Sequence, residues 1–296
     1  MTFAGVFAPI PTPFDSRQDI DLARLTRALH RWVRSPLTGF VILGSNGEAV
    51  LLDEKESEDV IAAARAVVPH GRPFIVGTGR ESTRATVAAT RRAAALGADA
   101  VLVRTPAFFK PQMTADAFIR HYAAVADEST VPVLLYNFTA MTGVTLPADA
   151  VSQLSRHPNI VGMKESGGDV TRIADLVTAA PLPFALLGGS GATFCAALEA
   201  GAAGGILVLA AVLPEACSRL FELARDRRLD EARALQARLL PLAQLLGSTH
   251  GVPGVKAALN LVGYDVGEPR SPLAPAPESA RAAIRQALSA FEEVAA

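Results

Sequence analysis

Asn159-Ile160-Val161-Gly162-Met163-Lys164-Glu165-Ser166-Gly167-Gly168-Asp169 begins as a short apolar run, carries a lysine at its end and breaks into serine and two glycines. Beyond the break, Val170, Ile173, Ala174 and Val177 recur at the spacing of one helix face. The pattern predicts a strand, a tight turn and a helix, with a lone ammonium at the carboxyl end of the strand. Parallel α/β proteins place their chemistry at that end.

The same alternation runs outward in both directions. Strands are predicted over Val6–Ile10, Phe40–Leu43, Phe74–Val76, Ala100–Val103, Val131–Tyr136, Ile160–Lys164, Phe184–Leu187 and Gly205–Leu209. Helical patterns follow each of them: Leu22–Val33, Glu54–Val68, Thr83–Leu96, Ala115–Asp127, Ala148–Leu154, Val170–Thr178, Ala192–Ala200 and Pro214–Arg225. Several strands are nearly uniformly apolar, as in a parallel sheet buried on both faces. Eight such pairs make an α/β chain of the (β/α)8 TIM-barrel type, assigned to residues 1–226. Residues 227–296 form a C-terminal helical extension. Helices are predicted over Leu229–Leu246, Gly254–Val262 and Glu278–Val294, with a loop rich in proline (Pro269, Pro272, Pro275, Pro277) before the last. Amphipathic helices need somewhere to bury a face, so the tail is expected to pack on the barrel or on a neighbouring subunit.

Composition narrows the function classes. Half of the 296 residues are hydrophobic, enough for a large core, and the formal net charge is only -1. That balance gives no electrostatic basis for binding nucleic acid or an anionic membrane. The most apolar run, Ala202–Leu213, is shorter than the roughly 20 residues a spanning helix needs. Met1–Phe14 lacks a basic region and is interrupted by prolines, which makes a poor signal peptide. Cys195 and Cys217 have no metal or redox spacing, and a reduced, cytoplasmic setting is expected. The five histidines are scattered, with no close pair suited to a metal.

In a barrel, the carboxyl ends of the strands face one pocket. Strand two ends in Gly44-Ser45-Asn46-Gly47-Glu48, where a hydroxyl, an amide and free N–H groups can converge on an anion; the plainer reading is a turn capping the next helix. Strand five ends in Tyr136-Asn137 and strand six in Lys164. Neighbouring strands lie about 4.8 Å apart, so one of only three tyrosines falls beside the lysine. Ile160, Gly162 and Lys164 are expected to share one face, with Gly162 leaving room below the amine. Desolvation disfavours the charged form of an amine, and a neutral amine attacks a carbonyl to form a Schiff base. The protonated imine is an electron sink for breaking a carbon–carbon bond, with tyrosine as proton carrier. An anion-binding loop opposite would hold a carboxylate, which together implies a 2-oxo acid. Gly188-Gly189-Ser190-Gly191 before a helix keeps a phosphate site in play. Gly77-Thr78-Gly79 lacks the remaining parts of a dinucleotide fingerprint. The acidic cluster Asp53, Glu54, Glu56, Glu58, Asp59 opens a helix, where the dipole favours it, and reads as a solvated face.

With those residues in hand, the chain resembles the dihydrodipicolinate synthase and N-acetylneuraminate lyase family along nearly its whole length. The matching pieces are Pro9-Ile10-Pro11-Thr12-Pro13-Phe14, Gly44–Glu48, Gly77-Thr78-Gly79, Thr105-Pro106, Tyr136-Asn137, Gly143, Gly162-Met163-Lys164-Glu165 and Gly188-Gly189. Within the family, His157 to Ile173, Gly251-Val252-Pro253-Gly254-Val255-Lys256 and Gly263-Tyr264 look most like 4-hydroxy-2-oxoglutarate aldolases. The resemblance implies a class I, Schiff-base lyase acting on pyruvate or a similar 2-oxo acid and an aldehyde. A 4-hydroxy-2-oxoglutarate-like or deoxy-sugar-acid substrate is expected. The resemblance further implies a homotetramer, a dimer of dimers, with no metal and no cofactor beyond the covalent imine. Lys164 would be the Schiff-base lysine and Tyr136 the proton-transferring phenol. Gly44, Ser45 and Asn46 would hold the 2-oxo acid carboxylate, and Gly189 and Ile206 would line the pocket by backbone.

Two positions depart from the family pattern. Its second relay tyrosine aligns with Phe108, which implies a hydroxyl chain from Ser45 to Tyr136 broken unless water bridges it. The arginine of dihydrodipicolinate synthases in the loop after strand five aligns with Met141, which removes a grip on the aldehyde's carboxylate. Arg104, beside Tyr136 at the end of strand four, is the candidate for a distal carboxylate, or else a structural ion pair. The remaining alternatives are dihydrodipicolinate synthase itself and a family member that binds a 2-oxo acid without turnover.

Overall fold

The computed structural model describes residues 3–180 and 182–295. The outermost positions of the expected 1–226 and 227–296 segments therefore lie outside the described residues. Eight parallel strands close into a barrel: β1 (Gly5–Pro9), β2 (Gly39–Ile42), β3 (Phe74–Gly77), β4 (Ala100–Arg104), β5 (Val133–Asn137), β6 (Ile160–Glu165), β7 (Ala185–Gly188) and β8 (Gly204–Ile206), with β8 returning to β1. The helices between them are α1 (Leu22–Trp32), α2 (Glu54–Arg65), α3 (Thr83–Ala95), α4 (Ala115–Asp127), the single turn α5 (Thr139–Thr142), α6 (Ala148–Leu154), α7 (Val170–Ala179) and α8 (Phe194–Glu199). Then come α9 (Val208–Val212), α10 (Pro214–Arg225), α11 (Leu229–Gln244), α12 (Gly251–Leu261) and α13 (Glu278–Ala295). The expected TIM barrel with helical extension is the observed fold.

Period-two alternation explains why both sheet faces are dry. Phe7, Val41, Ile75, Ala100, Leu102, Leu134, Ala185, Leu187 and Ile206 fill the barrel interior. Their neighbours Val101, Val103, Val133 and Leu135 face outward into the layer under the helices. Capping side chains start the helices. Ser82, Thr114 and Asp169 each accept a first-turn N–H, and Asp53 and Glu56 form a reciprocal capping box. The acidic cluster at that box is also tied down: Glu54 pairs with Arg80 and Arg92, and Glu56 with Arg270.

Three expectations need correction. The run expected as one strand, Gly205–Leu209, is a strand only to Ile206; Val208–Val212 is helix α9. Both pieces are buried, and a short apolar run buried on all sides carries no periodicity to separate strand from helix. Ile160 does not share a face with Gly162 and Lys164. The β5–β6 register slips between Val133 and Leu134, pairing Val133 with Ile160 but Leu134 with Gly162, so Ile160 joins the outer core. Finally, α12 begins at Gly251, taking Gly251, Val252 and Pro253 into its first turn, where proline costs no intrahelical bond. A π turn over Leu245–Thr249 links it to α11.

The tail is anchored through aromatic and ionic contacts. The only tryptophan, Trp32, stacks on Tyr264 with ring centroids 4.3 Å apart, and its Nε1–H donates to the Ala211 carbonyl at 2.8 Å. Lys256 and Arg270 reach back to the loop after β2. Among the described residues no helix is long and apolar enough to cross a membrane.

Candidate active site

Strand register assembles the site. Arg104 pairs with Tyr136, Tyr136 with Lys164, and Lys164 with Leu187, so the ends of β4 to β7 form one rung at the carboxyl mouth. Ala100, Leu102 and Leu134 point inward lower down. Two residues on, strand geometry sends Arg104 and Tyr136 to the same side, above them. Lys164 is only 5% exposed, far from the surface position of an ordinary lysine. Its Nζ lies 4.4 Å from the centroid of the Tyr136 ring, itself 4% exposed. Lys164 makes no ion pair among the described residues, so the amine faces a π surface rather than a carboxylate.

The turn after β2 supplies the opposite wall. Ser45–Gly47 is one turn of 3-10 helix, closed by Gly47 N–H to the Gly44 carbonyl (3.0 Å) and Glu48 N–H to the Ser45 carbonyl (3.1 Å). Ser45 and Asn46, as its first residues, keep N–H groups with no acceptor inside the turn. The Ser45 hydroxyl is exposed to the mouth and lies 3.1 Å from the Tyr136 hydroxyl. That contact corrects the expectation of a break between them: Ser45 reaches Tyr136 directly, with no relay residue needed. Phe108 is 77% exposed and does not line this chain's cavity, so a hydroxyl there would not join the pair within one chain.

A cavity of about 330 Å³ opens beside Tyr136, lined among others by Gly44, Ser45, Arg80, Glu81 and Arg104; Lys164 lies behind the Tyr136 ring rather than on its wall, and Asn46 and Gly189 do not line it. Arg104 donates through Nη1 to Glu81 Oε1 (2.7 Å) and to the Thr105 carbonyl (3.1 Å); among the described residues its Nε and Nη2 meet no acceptor. Gly79 makes this possible, since a Cβ there would collide with the Arg104 side chain. The other oxygen of Glu81 accepts the N–H groups of Ala107 (2.8 Å) and Phe108 (2.9 Å). Burial would raise the Glu81 carboxyl, but those two N–H groups and the Arg104 guanidinium outweigh it and hold it below the usual range. Glu81 thus ties the cavity wall to the loop carrying Phe108.

Glu165 fixes Lys164 from behind. It is 1% exposed, and its carboxylate accepts from Asn137 Nδ2 (2.9 Å), the Gly167 N–H (2.8 Å) and Arg172 Nε (2.8 Å). Arg172 also donates to the Leu146 carbonyl at 2.7 Å. The strand end, the turn and the first helical turn after it are thereby locked together. Sequence reading passed over this network, because Glu165 ends a strand and Arg172 starts the following helix, and no single-element periodicity relates the two.

The remaining expected residues are placed as follows. Asn46 is half-buried in the turn. Gly189 donates its N–H to the Glu165 carbonyl at 2.7 Å, and a Cβ there would strike Ser166. Ile206 is buried in the barrel interior, paired with Phe7, and does not line the cavity. Met141 is 67% exposed, outside it. Gly162 leaves no room below the amine; its missing Cβ is what lets the Ala185 carbonyl and Leu134 approach. The phosphate reading of Gly188–Gly191 loses two donors, the Gly189 N–H to Glu165 and one at the start of the next helix. The Cys195 N–H that opens α8 is accepted by Gln236 Oε1 at 3.0 Å, and Gln236 Nε2 donates to the Gly191 carbonyl. The Gly77 gap is likewise filled, by the Leu43 carbonyl. Among the described residues no three His, Cys, Asp or Glu side chains form a group able to hold a metal.

Comparison with known proteins agrees in sequence and in fold. The sequence model of the Dihydrodipicolinate synthetase family matches residues 2–291. A probable mitochondrial 4-hydroxy-2-oxoglutarate aldolase of Emericella nidulans is 39% identical over 292 residues, covering 96% of this chain and 94% of its own. A 4-hydroxy-tetrahydrodipicolinate synthase of Xanthomonas axonopodis pv. citri is 38% identical over 304 residues, covering all of both. The crystal structure of the chloride-inhibited dihydrodipicolinate synthase from Acinetobacter baumannii, complexed with pyruvate, superposes with a TM-score of 0.94 at 33% identity, over 98% of this chain and 99% of that one. An enzyme fold, a buried lysine at its mouth and these likenesses lead to one assignment: the chain belongs to the dihydrodipicolinate synthetase family and is a lyase of its aldolase type.

Proposed function

We propose that the chain is a class I aldolase that cleaves or forms the carbon–carbon bond between pyruvate, or a similar 2-oxo acid, and an aldehyde. The observation that carries the reading is the buried Lys164 amine against the Tyr136 ring, with Ser45 on the Tyr136 hydroxyl. Lys164 Nζ attacks the 2-oxo carbon, the Tyr136 hydroxyl gives its proton to the departing water, and a protonated imine and a phenolate remain. The bond between C3 and C4 then breaks toward that imine, the C4 hydroxyl proton passes to the Tyr136 oxygen, and the aldehyde departs. The enamine is protonated at C3 and water releases pyruvate from Lys164. The imine is itself the electron sink, so this scheme calls for no metal or organic cofactor.

Ser45 and Asn46, with the N–H groups of their turn, hold the 2-oxo acid carboxylate, and Gly44 and Gly189 let backbone approach. Arg104 offers its unpaired Nε and Nη2 to a distal carboxylate of the aldehyde half, which favours a substrate like 4-hydroxy-2-oxoglutarate. Phe108 and Phe109, 77% and 66% exposed, and Met141 supply an apolar surface beside the mouth for a second copy, consistent with a homotetramer built as a dimer of dimers. Cys195 and Cys217 are free and buried, as suits a reducing, cytoplasmic setting.

A panel of 4-hydroxy-2-oxo acids assayed for pyruvate release tests the reading, with condensation of pyruvate and aspartate semialdehyde as the alternative synthase activity. Release from substrates bearing a distal carboxylate, lost in Arg104→Met for those substrates alone, is expected. Condensation without cleavage would move the assignment to the synthase, and binding without either would leave a 2-oxo-acid-binding protein.

A further inference from the structure

The carboxylate-holding turn ends in a residue that is expensive in two ways. Glu48 adopts φ 54°, ψ 31°, a left-handed conformation unfavourable for a side chain other than glycine, and it is 2% exposed. Its Oε1 lies 2.6 Å from Lys256 Nζ on α12, with the two side chains 1% and 0% exposed. Its Oε2 accepts the Arg270 N–H at 2.8 Å. Lys256 in turn donates to the Glu268 carbonyl at 3.0 Å and sits 4.3 Å from the Phe14 ring centroid, with the Arg270 guanidinium 4.4 Å from the same ring. From the loop after β1, the Thr12 hydroxyl donates to the Gly47 carbonyl at 2.7 Å.

Stability alone does not account for such a pair. Taking two charges out of water costs about as much as their attraction returns, and well-packed apolar residues commonly do as well. What an apolar pair cannot do is fix a carboxylate, and with it the backbone, at one position. We propose that Glu48 and Lys256 are a positioning pair, through which the C-terminal helices set the register of Ser45 and Asn46 for binding the 2-oxo acid carboxylate. The proposal rests on the reading of that turn as the carboxylate's cradle.

The test is the double variant Glu48→Gln/Lys256→Met, which removes both charges and leaves neither stranded. Borohydride trapping of pyruvate on the full-length protein, followed against pyruvate concentration, gives the half-saturating concentration and the limiting trapping rate separately. The pair's removal should raise the half-saturating concentration on the order of tenfold to a hundredfold, the cost of displaced binding groups. The limiting rate should hold within about threefold, as expected when ground-state binding is lost, and the melting temperature should stay near that of the parent. Unchanged half-saturation, or a fall confined to the limiting rate, overturns the proposal. Should the double variant not fold, Glu48→Gln alone, which keeps an acceptor for the Arg270 N–H, is read by the same two quantities. Absence of trapping in the unsubstituted protein would instead refute the cradle reading; trapping there with a parent-like double variant would refute only the pair.

Discussion

Replacing Glu165 with alanine strands the Arg172 guanidinium and leaves the Asn137 amide and the Gly167 N–H without their acceptor. The carboxylate is 1% exposed and the arginine 22%, so solvent recovers little of the loss. Removing one partner of such a buried pair costs about 3–5 kcal/mol, a large share of the roughly 5–15 kcal/mol that holds a typical domain folded. Glu165→Gln keeps the shape and one acceptor oxygen but loses the charge, and should cost about 1.5–3 kcal/mol, the range for hydrogen bonds to charged groups. Urea unfolding near neutral pH, followed by circular dichroism, ranks the two. Adding Arg172→Met to Glu165→Gln removes the orphaned charge, so the double variant should be more stable than the sum of the singles by about 0.5–3 kcal/mol. Lys164 sits at the strand end that this network holds, so pyruvate trapping should fall in the same order as stability. A Glu165→Ala variant losing less than about 1 kcal/mol, the scale of an exposed ion pair, would refute the reasoning.

Other perturbations probe separate parts of the account. Ser45→Ala deletes the contact to the Tyr136 hydroxyl and should lower kcat/KM by about tenfold, the equivalent of one hydrogen bond; an unchanged value in steady-state assays would show that neither Tyr136 nor the substrate carboxylate depends on the Ser45 hydroxyl. His121 is buried, with Nδ1 2.9 Å from the Thr83 hydroxyl, and burial depresses its pKa to about 4, with Glu81 raising it slightly and Arg104 opposing that. Between about pH 6.5, the ordinary value, and pH 4 the unfolded state therefore binds the extra proton. Stability should fall with acidification across that window and then level, by about 3 kcal/mol from this group. Urea midpoints at both ends of the window check this, because His121→Gln should flatten the slope and an equal slope would contradict it. Phe108→Ser with Phe109→Ser should shift the sedimenting species to smaller mass, and an unchanged mass would place the contact between copies elsewhere.

How far the sequence reached depended on whether the relevant partners were local. Lys164 stood out because Ile160–Met163 is too apolar to be surface, and Tyr136 followed from strand order alone. Register then put the two side by side. The slip at Val133 and Leu134 left no local trace, so the side of the barrel taken by Ile160 was misread. The boundary between β8 and α9 was hidden because burial on every side erases periodicity. Glu48 looked like the end of a turn and Lys256 like an ordinary helix residue; their pairing needs the tail folded back across the barrel. Gly162 was legible as a gap, but what fills it, the Ala185 carbonyl and Leu134, is set by neighbouring strands. The exposure of Phe108 is likewise a property of the folded loop that Glu81 holds.

The central claim is that the Lys164 amine forms the imine. Incubating the protein with pyruvate and borohydride, then mapping the product by peptide mass spectrometry, addresses it directly. A single reduced pyruvate adduct on Lys164, abolished in Lys164→Arg, is the predicted result. An adduct on another lysine, or none under conditions where pyruvate binds, would contradict the account.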